Sequence, residues 1–198
     1  MNSLTDNIYN ALRHSFLIGA GAFFLAVLAT FTSKYLLDNI TSLIISLLLL
    51  LMIIIVGIIF DIIGVAAAAA SEPPLHAKNA KKILGAPQAI QMVRKADKVA
   101  SFCNDVVGDV SGTLSGAIGA AIVFRILVYT PTFSEVVVST FTTSLIAALI
   151  VAGKAFGKAF AIKKSTEIVF QVGRLLAWLE KSFAIKLISA DTKKGRRT

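Results

Sequence analysis

Three groups of polar residues interrupt apolar stretches of this sequence, and they contain residue types that bind cations. The first is a single acid, Asp61, within the 28-residue apolar stretch Leu43–Ala70. The others follow along the chain: Asn104 with Asp105 and Asp109, and then Lys154 with Lys158. Carboxylate and amide oxygens suit hard cations such as Mg²⁺, which often keeps several waters and binds only one or two carboxylates. If the elements that carry these groups meet, they predict a divalent-cation site.

The lysines permit a second interpretation, in which Lys154 pairs with Asp61 or Asp109 and holds the helices together. A carboxylate inside a membrane span costs roughly 3 kcal/mol on insertion scales, so Asp61 requires a partner. Asp105 and Asp109 are four residues apart and therefore share one face of a helix. The residues leave both interpretations open, with either a metal ion or an ammonium group as the counterpart of Asp61.

The sequence contains no arrangement that is typical of an enzyme. His14 and His76 lie outside the apolar stretches, and the clusters of His and Cys that zinc requires are missing. Cys103 is the only cysteine, which excludes a disulfide framework. The flanking motifs of intramembrane aspartyl enzymes are absent around Asp61 and Asp109. We therefore predict that the chain is not an enzyme and uses no organic cofactor.

Composition indicates that the elements carrying these residues are membrane spans. Hydrophobic residues make up 56% of the 198 positions, and the mean hydropathy is +0.80. A soluble domain is only about 45–50% apolar. The excess lies in four blocks near or above the length of about 20 residues that a helix needs to cross a bilayer. We predict an all-α polytopic membrane helix bundle.

The bundle is predicted to form a single transmembrane domain, residues 1–190, followed by a basic disordered tail, residues 191–198. Its predicted spans are residues 14–37, 43–70, 106–129 and 133–153. Residues 75–99 predict a basic amphipathic hairpin with a turn at Gly85–Pro87. Ile168, Val172, Leu175 and Leu179 recur at helical spacing and predict an interfacial helix. These two basic amphipathic segments are expected to lie at the membrane surface, where they could contact anionic lipid.

The distribution of charge predicts a topology rather than a nucleic-acid partner. The net charge is +9, and 17 of the 20 Lys and Arg lie in the linker between the second and third spans or from Lys154 onward. Basic loops remain in the cytoplasm, so four spans place both termini on that side of the plasma membrane. No basic groove interleaved with aromatic residues is present, which argues against binding of nucleic acid.

Small residues form a regular stripe along the third span. Its members are Gly108, Gly112, Gly116 and Gly119. Such stripes allow helices to approach closely. We therefore predict that the third span is a core helix, and the stripe would suit packing either within one chain or in a homodimer.

The order of these elements resembles the transmembrane domain of the cyclin M / CorB–CorC family of magnesium transporters. Three segments carry the resemblance: FDIIGVA at Phe60–Ala66, Cys103-Asn104-Asp105, and GKAFGKAFA at Gly153–Ala161. The residues that fit the family pattern are Phe60, Ala66, Asn104, Gly153, Lys158 and Ala161. The resemblance covers residues 40–190, with residues 14–37 as an extra leading span.

The resemblance implies a homodimeric transporter of divalent cations, here a short form without regulatory CBS modules. It implies an Mg²⁺ site in the cytoplasmic half of the spans, where Asn104 matches a family ligand directly. Asp61 and Ile63 replace the motif serines, and Lys154 replaces the motif glutamate. The expected metal ligands are thus Asp61, Asn104, Asp105 and Asp109, with Lys154 and Lys158 as charge partners. The alternative is a non-transporting structural or regulatory relative, in which Lys154 takes the place of the cation.

Overall fold

The computed structural model describes residues 2–39 and 42–183, and every regular element in this part of the chain is helical. In chain order these are α1 (Asn2–Asn39), α2 (Leu43–Ala69), α3 (Glu72–Ala80), α4 (Ala86–Arg94), α5 (Ala96–Ala100), a π-helical segment (Ser101–Gly108), α6 (Asp109–Tyr129), α7 (Glu135–Lys163) and α8 (Ser165–Phe183). The predicted all-α class is confirmed. The predicted tail, residues 191–198, lies outside the described residues.

Four helical stretches are long and apolar enough to cross a membrane. They are Ser15–Thr32, Leu43–Ala69, Ala96–Tyr129 and Glu135–Lys163. Many large apolar side chains on these stretches are exposed, as expected for surfaces that face lipid tails rather than water. The four helices are consistent with an integral membrane protein in contact with a lipid bilayer.

The ends of several helices differ from the predicted spans. α1 begins at Asn2 and is continuous, whereas the first span is predicted to begin at residue 14. The third span begins at Ala96 rather than near residue 106, because α5 runs directly into the π-helical segment and α6. α7 continues past Gly153 to Lys163, through alanines that favour helix. Hydropathy thus located the apolar blocks, whereas the helical hydrogen-bond pattern extends beyond them.

α2 is the central helix of the bundle. It packs against α6, α7 and the π-helical segment at membrane depth, and against α5 and α8 beyond it. One apolar cluster joins it to α6 and α7, and consists of Leu50, Ile54, Ile118, Ile122 and Ile146. The alanine-rich end of α2 is fully buried at Ala66 and Ala67. The bundle core therefore extends to this end of α2.

The short helices α3–α5, the last turns of α7, and α8 form a layer across one end of the bundle, which we call the basic end. Their shared core consists of Ala66, Ala67, Leu75, Ala86, Ala89, Ile90, Met92, Ala161, Val169 and Phe170. The two amphipathic segments predicted to lie at the membrane surface therefore also pack against each other. α8 buries Val169, Phe170 and Ala177, whereas Leu175 and Trp178 remain exposed. The hairpin and α8 bury much of each other's apolar surface.

Polar contacts reinforce this layer. Glu72 shares a hydrogen bond with His76 at 2.9 Å and accepts one from Arg94 Nε at 3.2 Å. The hydrogen bond with His76 lowers the pKa of Glu72 below its usual value, and Arg94 acts in the same direction. Gln88 Nε2 donates to Glu180 Oε2 at 2.7 Å and so joins α4 to α8.

Candidate functional site

Asp61 lies on the face of α2 that meets the π-helical segment and the start of α6. Gly57, Asp61 and Gly64 share this face, because they are spaced four and three residues apart. A β-carbon at Gly57 would lie 2.8 Å from Ser111 Cβ, and one at Gly64 would lie 2.9 Å from Asn104 Cγ. The two glycines thus mark close contacts on either side of Asp61. The sequence predicts that Asp61 lies within a span, and the close approach of the helices determines which residues face it.

The π-helical segment Ser101–Gly108 carries the second predicted group. A π-helix is rare and is found frequently at functional sites. Asn104 is directed toward Gly64 of α2, and Cys103 is buried beside it. Asp105, the next residue, is exposed. Neighbouring residues of a helix point to different sides of it, so only one of these two members of the predicted ligand set faces α2.

Two buried oxygen atoms at this contact have no hydrogen-bond partner within the described part of the chain. Asp61 is only 4% exposed, and its Oδ2 lacks a donor. The side-chain oxygen of Asn104, Oδ1, also lacks one. Buried polar atoms are nearly always paired, and an unpaired buried acceptor costs about 1–3 kcal/mol, more if it is charged. Each of these two oxygens is the kind of ligand that a hard cation binds.

Lys154 lies beside this contact, where it pairs with Asp109. Its Nζ is 3.8 Å from Asp109 Oδ1 and 3.6 Å from the position that a β-carbon at Gly108 would occupy. The Lys154 side chain is 26% exposed and that of Asp109 is 74% exposed. Of the two carboxylates predicted as partners of Lys154, the structure brings Asp109 to it. This pair joins α7 to α6 near the surface of the bundle.

Two glycines of α7 allow that helix to reach α2. A β-carbon at Gly153 would overlap the side chain of Ile58, and one at Gly157 would lie 2.8 Å from Ile62 Cγ1. Because both positions lack a side chain, α7 can approach closely enough for Lys154 to lie beside Gly108. These glycines belong to the GKAFGKAFA segment that carries the family resemblance.

The predicted ligand set is therefore divided between three environments. Asp61 and Asn104 carry the two buried oxygens, Asp109 pairs with Lys154, and Asp105 is exposed. Lys158, predicted as a charge partner, is exposed on α7. Across residues 2–39 and 42–183, no three His, Cys, Asp or Glu side chains are grouped as they would be in a metal site built from those residues alone. A metal here would bind few carboxylates.

The predicted glycine stripe of the third span is also divided. Gly108 and Gly119 are buried, and a β-carbon at Gly119 would overlap Ile146 of α7. Around Gly112 and Gly116, no described atom of another element lies within 4 Å of the corresponding position. The stripe is thus not a continuous packing surface within this chain, because α6 contacts α7 at only some of its turns.

Two features of the bundle were not anticipated from the sequence. A cavity of about 10 Å³, lined by Gly57, Gly108, Ser111, Ser115 and Lys154 among others, lies between α2, α6 and α7. That volume is close to the minimum for one water molecule. At the far end of the bundle, Arg125 Nη1 donates to the buried hydroxyl of Ser46 at 2.8 Å. A single Arg within an apolar span requires a polar partner, and this requirement could have indicated the contact.

Replacing Asp109 by asparagine should change the free energy of unfolding by less than about 1 kcal/mol, because pairs this exposed contribute little. The expected change in thermal midpoint, measured in detergent without divalent cations, is at most about 4 °C. A markedly larger loss of stability would show that the Lys154–Asp109 contact is a principal support of the bundle.

Comparison with known proteins adds no match to this geometry. No family model, no curated protein and no solved structure matches the chain.

Proposed function

We propose that this chain is an integral membrane protein that binds a divalent cation, Mg²⁺, through Asp61 and Asn104. The observation that carries the proposal is the pair of buried, unpartnered oxygens on these two side chains. They belong to facing elements, α2 and the π-helical segment, at the position where Gly64 allows close approach. A carboxylate oxygen and an amide oxygen are suitable ligands for a hard cation.

The composition of the site supports Mg²⁺ better than a metal that requires many protein ligands. Mg²⁺ usually keeps several waters and accepts one or two carboxylates, whereas a structural zinc site requires four protein ligands. Asp61 would supply the negative charge, and Asn104 a neutral oxygen. The pairing of Lys154 with Asp109 directs that ammonium group toward another carboxylate.

The resemblance to the cyclin M / CorB–CorC family extends the proposal from binding to transport. In this proposal the chain moves Mg²⁺ across the plasma membrane, acts as a homodimer, and has its basic end in the cytoplasm. The site is closer to that end of the spans, because Asp61 precedes the buried alanines at the end of α2. Binding would rely on Asp61, and Asn104 would orient the hydrated ion.

Thermal unfolding of the purified protein with increasing MgCl₂, at constant ionic strength, tests binding. At ten times the dissociation constant, Mg²⁺ should stabilise the wild type by about 1.4 kcal/mol, or about 3–5 °C. Asp61→Asn and Asn104→Ala should each abolish this increase. Asp97→Asn removes an exposed carboxylate from α5 and should keep the stabilisation by Mg²⁺. Transport is then measured as Mg²⁺ entry into liposomes containing the wild type or Asp61→Asn.

Two results would contradict the binding proposal. One is a wild type whose thermal midpoint does not change with millimolar Mg²⁺. The other is an equal increase in the wild type and Asp61→Asn, which would locate binding elsewhere. If Mg²⁺ stabilises the wild type but does not enter the liposomes, the result supports binding and contradicts transport.

The second candidate function is that of a non-transporting structural or regulatory membrane protein. The observation that favours it is the 3.8 Å contact between Lys154 and Asp109, which places a fixed positive charge beside the predicted ion site. Lys154→Glu discriminates the two functions. If Mg²⁺ stabilises this variant but not the wild type, Lys154 occupies the place of the cation and the transporter proposal fails.

A further inference from the structure

Two apolar grooves lie on either side of Phe102 at the basic end. The larger, of about 470 Å³, opens between α2, α8 and the chain from α4 to the π-helical segment, and its walls include Phe60, Val99 and Leu175. The smaller, of about 370 Å³, opens between α1 and the third span, and its walls include Leu17 and Leu25. Phe102 and Lys98 line both grooves. Each volume lies within the range of ligand pockets, about 300–1,000 Å³.

The polarity of these grooves changes along the membrane normal. Phe60 directly precedes the buried Asp61, so the inner part of the larger groove lies at membrane depth. Gln91, Lys95 and Lys98 lie toward the basic end, and none of the described residues lining either groove is acidic. In the smaller groove, Leu25 lies deeper along α1 than Leu17. The two apolar grooves therefore share one lysine, Lys98, at the end that faces the basic end of the bundle.

We infer that the two grooves bind one anionic phospholipid of the adjoining leaflet. One acyl chain would occupy each groove on either side of Phe102, and the phosphate would contact Lys98. Phe102 is 54% exposed, as a ridge between two chains would be. Basic pockets between membrane helices are known to hold anionic headgroups, and each nearby cation contributes about 1 kcal/mol. This inference is independent of any Mg²⁺ site.

The only tryptophan of the chain allows a direct test. Trp178 is 59% exposed on α8 and lies one turn from Leu175, which lines the larger groove. The intact protein is reconstituted in phosphatidylcholine vesicles that contain increasing fractions of brominated phosphatidylglycerol or brominated phosphatidylcholine. Bromine on an acyl chain in the groove quenches Trp178 fluorescence. We expect the anionic lipid to quench at about one-fifth of the mole fraction that the zwitterionic lipid requires.

Charge variants distinguish a built site from general attraction to a basic surface. Lys98→Gln should reduce the preference for phosphatidylglycerol about fivefold, since one cation near the phosphate is removed. Lys163→Gln removes an exposed lysine from the end of α7, away from both grooves, and should leave the preference unchanged. Brominated lysophosphatidylglycerol, which has one chain, should quench more weakly than the two-chain lipid at equal mole fraction.

Three results would overturn the inference. Equal quenching by the two brominated phospholipids in the wild type would show no selectivity for charge. An equal reduction by Lys98→Gln and Lys163→Gln would assign the preference to the surface as a whole. Loss of quenching on addition of a few millimolar inorganic phosphate, at constant ionic strength, would indicate a site for the free anion rather than for a lipid.

Discussion

Gly173→Ala should lower the free energy of unfolding by about 2–3 kcal/mol, which corresponds to a thermal midpoint lower by about 5–10 °C. α8 crosses the beginning of α4 at this glycine. A β-carbon there would lie 2.6 Å from the carbonyl oxygen of Gly85 and 2.9 Å from the backbone nitrogen of Ala89. Backbone atoms cannot rotate away as a flexible side chain can, so α8 must move outward.

The position opposite Gly173 is equally restricted. Gly85 has φ of +88°, a conformation that favours glycine, and a β-carbon there would lie 2.5 Å from Arg174 Cα. Outward movement of α8 would expose Val169 and Phe170, which are buried in the core of the basic end. Faster tryptic cleavage after Arg174 and Lys181 should therefore accompany the loss of stability in Gly173→Ala.

Gly116→Ala is the matched control for this prediction. Gly116 lies in the middle of α6, is exposed, and has no atom of another described element within 4 Å of the added carbon. Alanine is also the better helix former, so its thermal midpoint should stay the same or increase slightly. If Gly173→Ala unfolds at the same temperature as Gly116→Ala, the close crossing of α8 and α4 is wrong.

Asp61→Asn should raise the free energy of unfolding by about 1–2 kcal/mol when Mg²⁺ is removed with EDTA, because a neutral amide is less costly to bury than a carboxylate. Asp61 is 4% exposed, and its Oδ2 has no donor among the described residues. The thermal midpoint in detergent should rise by about 2–8 °C. The same variant should gain nothing from added Mg²⁺.

The control for Asp61→Asn is the same chemical change at an exposed acid. Asp97→Asn should leave the midpoint in EDTA within about 2 °C of the wild type, since surface substitutions usually have small effects. A decrease of several degrees in Asp61→Asn would mean that a protein group already stabilises this carboxylate. That result would favour the ion-pair interpretation over a cation site.

The four spans and the all-α class could be predicted because they depend on local sequence. About 20 consecutive apolar residues are sufficient to indicate a helix across a bilayer, wherever the helix packs. Leu43–Ala69 shows this most clearly, since its observed limits differ from the predicted span by only one residue, Ala70. Helix ends were predicted less well, because α7 continues through Lys163 after its hydropathy falls.

The site was predicted only in part, because spacing along one helix does not reveal its neighbours. The sequence predicts Asn104, Asp105 and Asp109 as one ligand set, but Asn104 faces α2 whereas Asp105 is exposed. The choice of Asp109 as the partner of Lys154 depends on how closely α7 approaches α2 and α6. That approach is determined at Gly153 and Gly157, which pack against Ile58 and Ile62.

The sequence by itself determined that a carboxylate lies within an apolar span and therefore requires a partner. It did so because the hydropathy of Leu43–Ala69 places this acid among residues that cross the bilayer, whichever way the helix faces. Only the tertiary structure decided that Asn104 faces α2 at Gly64, that Lys154 lies against Asp109, and that α8 docks on α4 through Gly173 and Gly85. These contacts join residues far apart in the chain, and they depend on helix rotation and closest approach, which hydropathy does not encode.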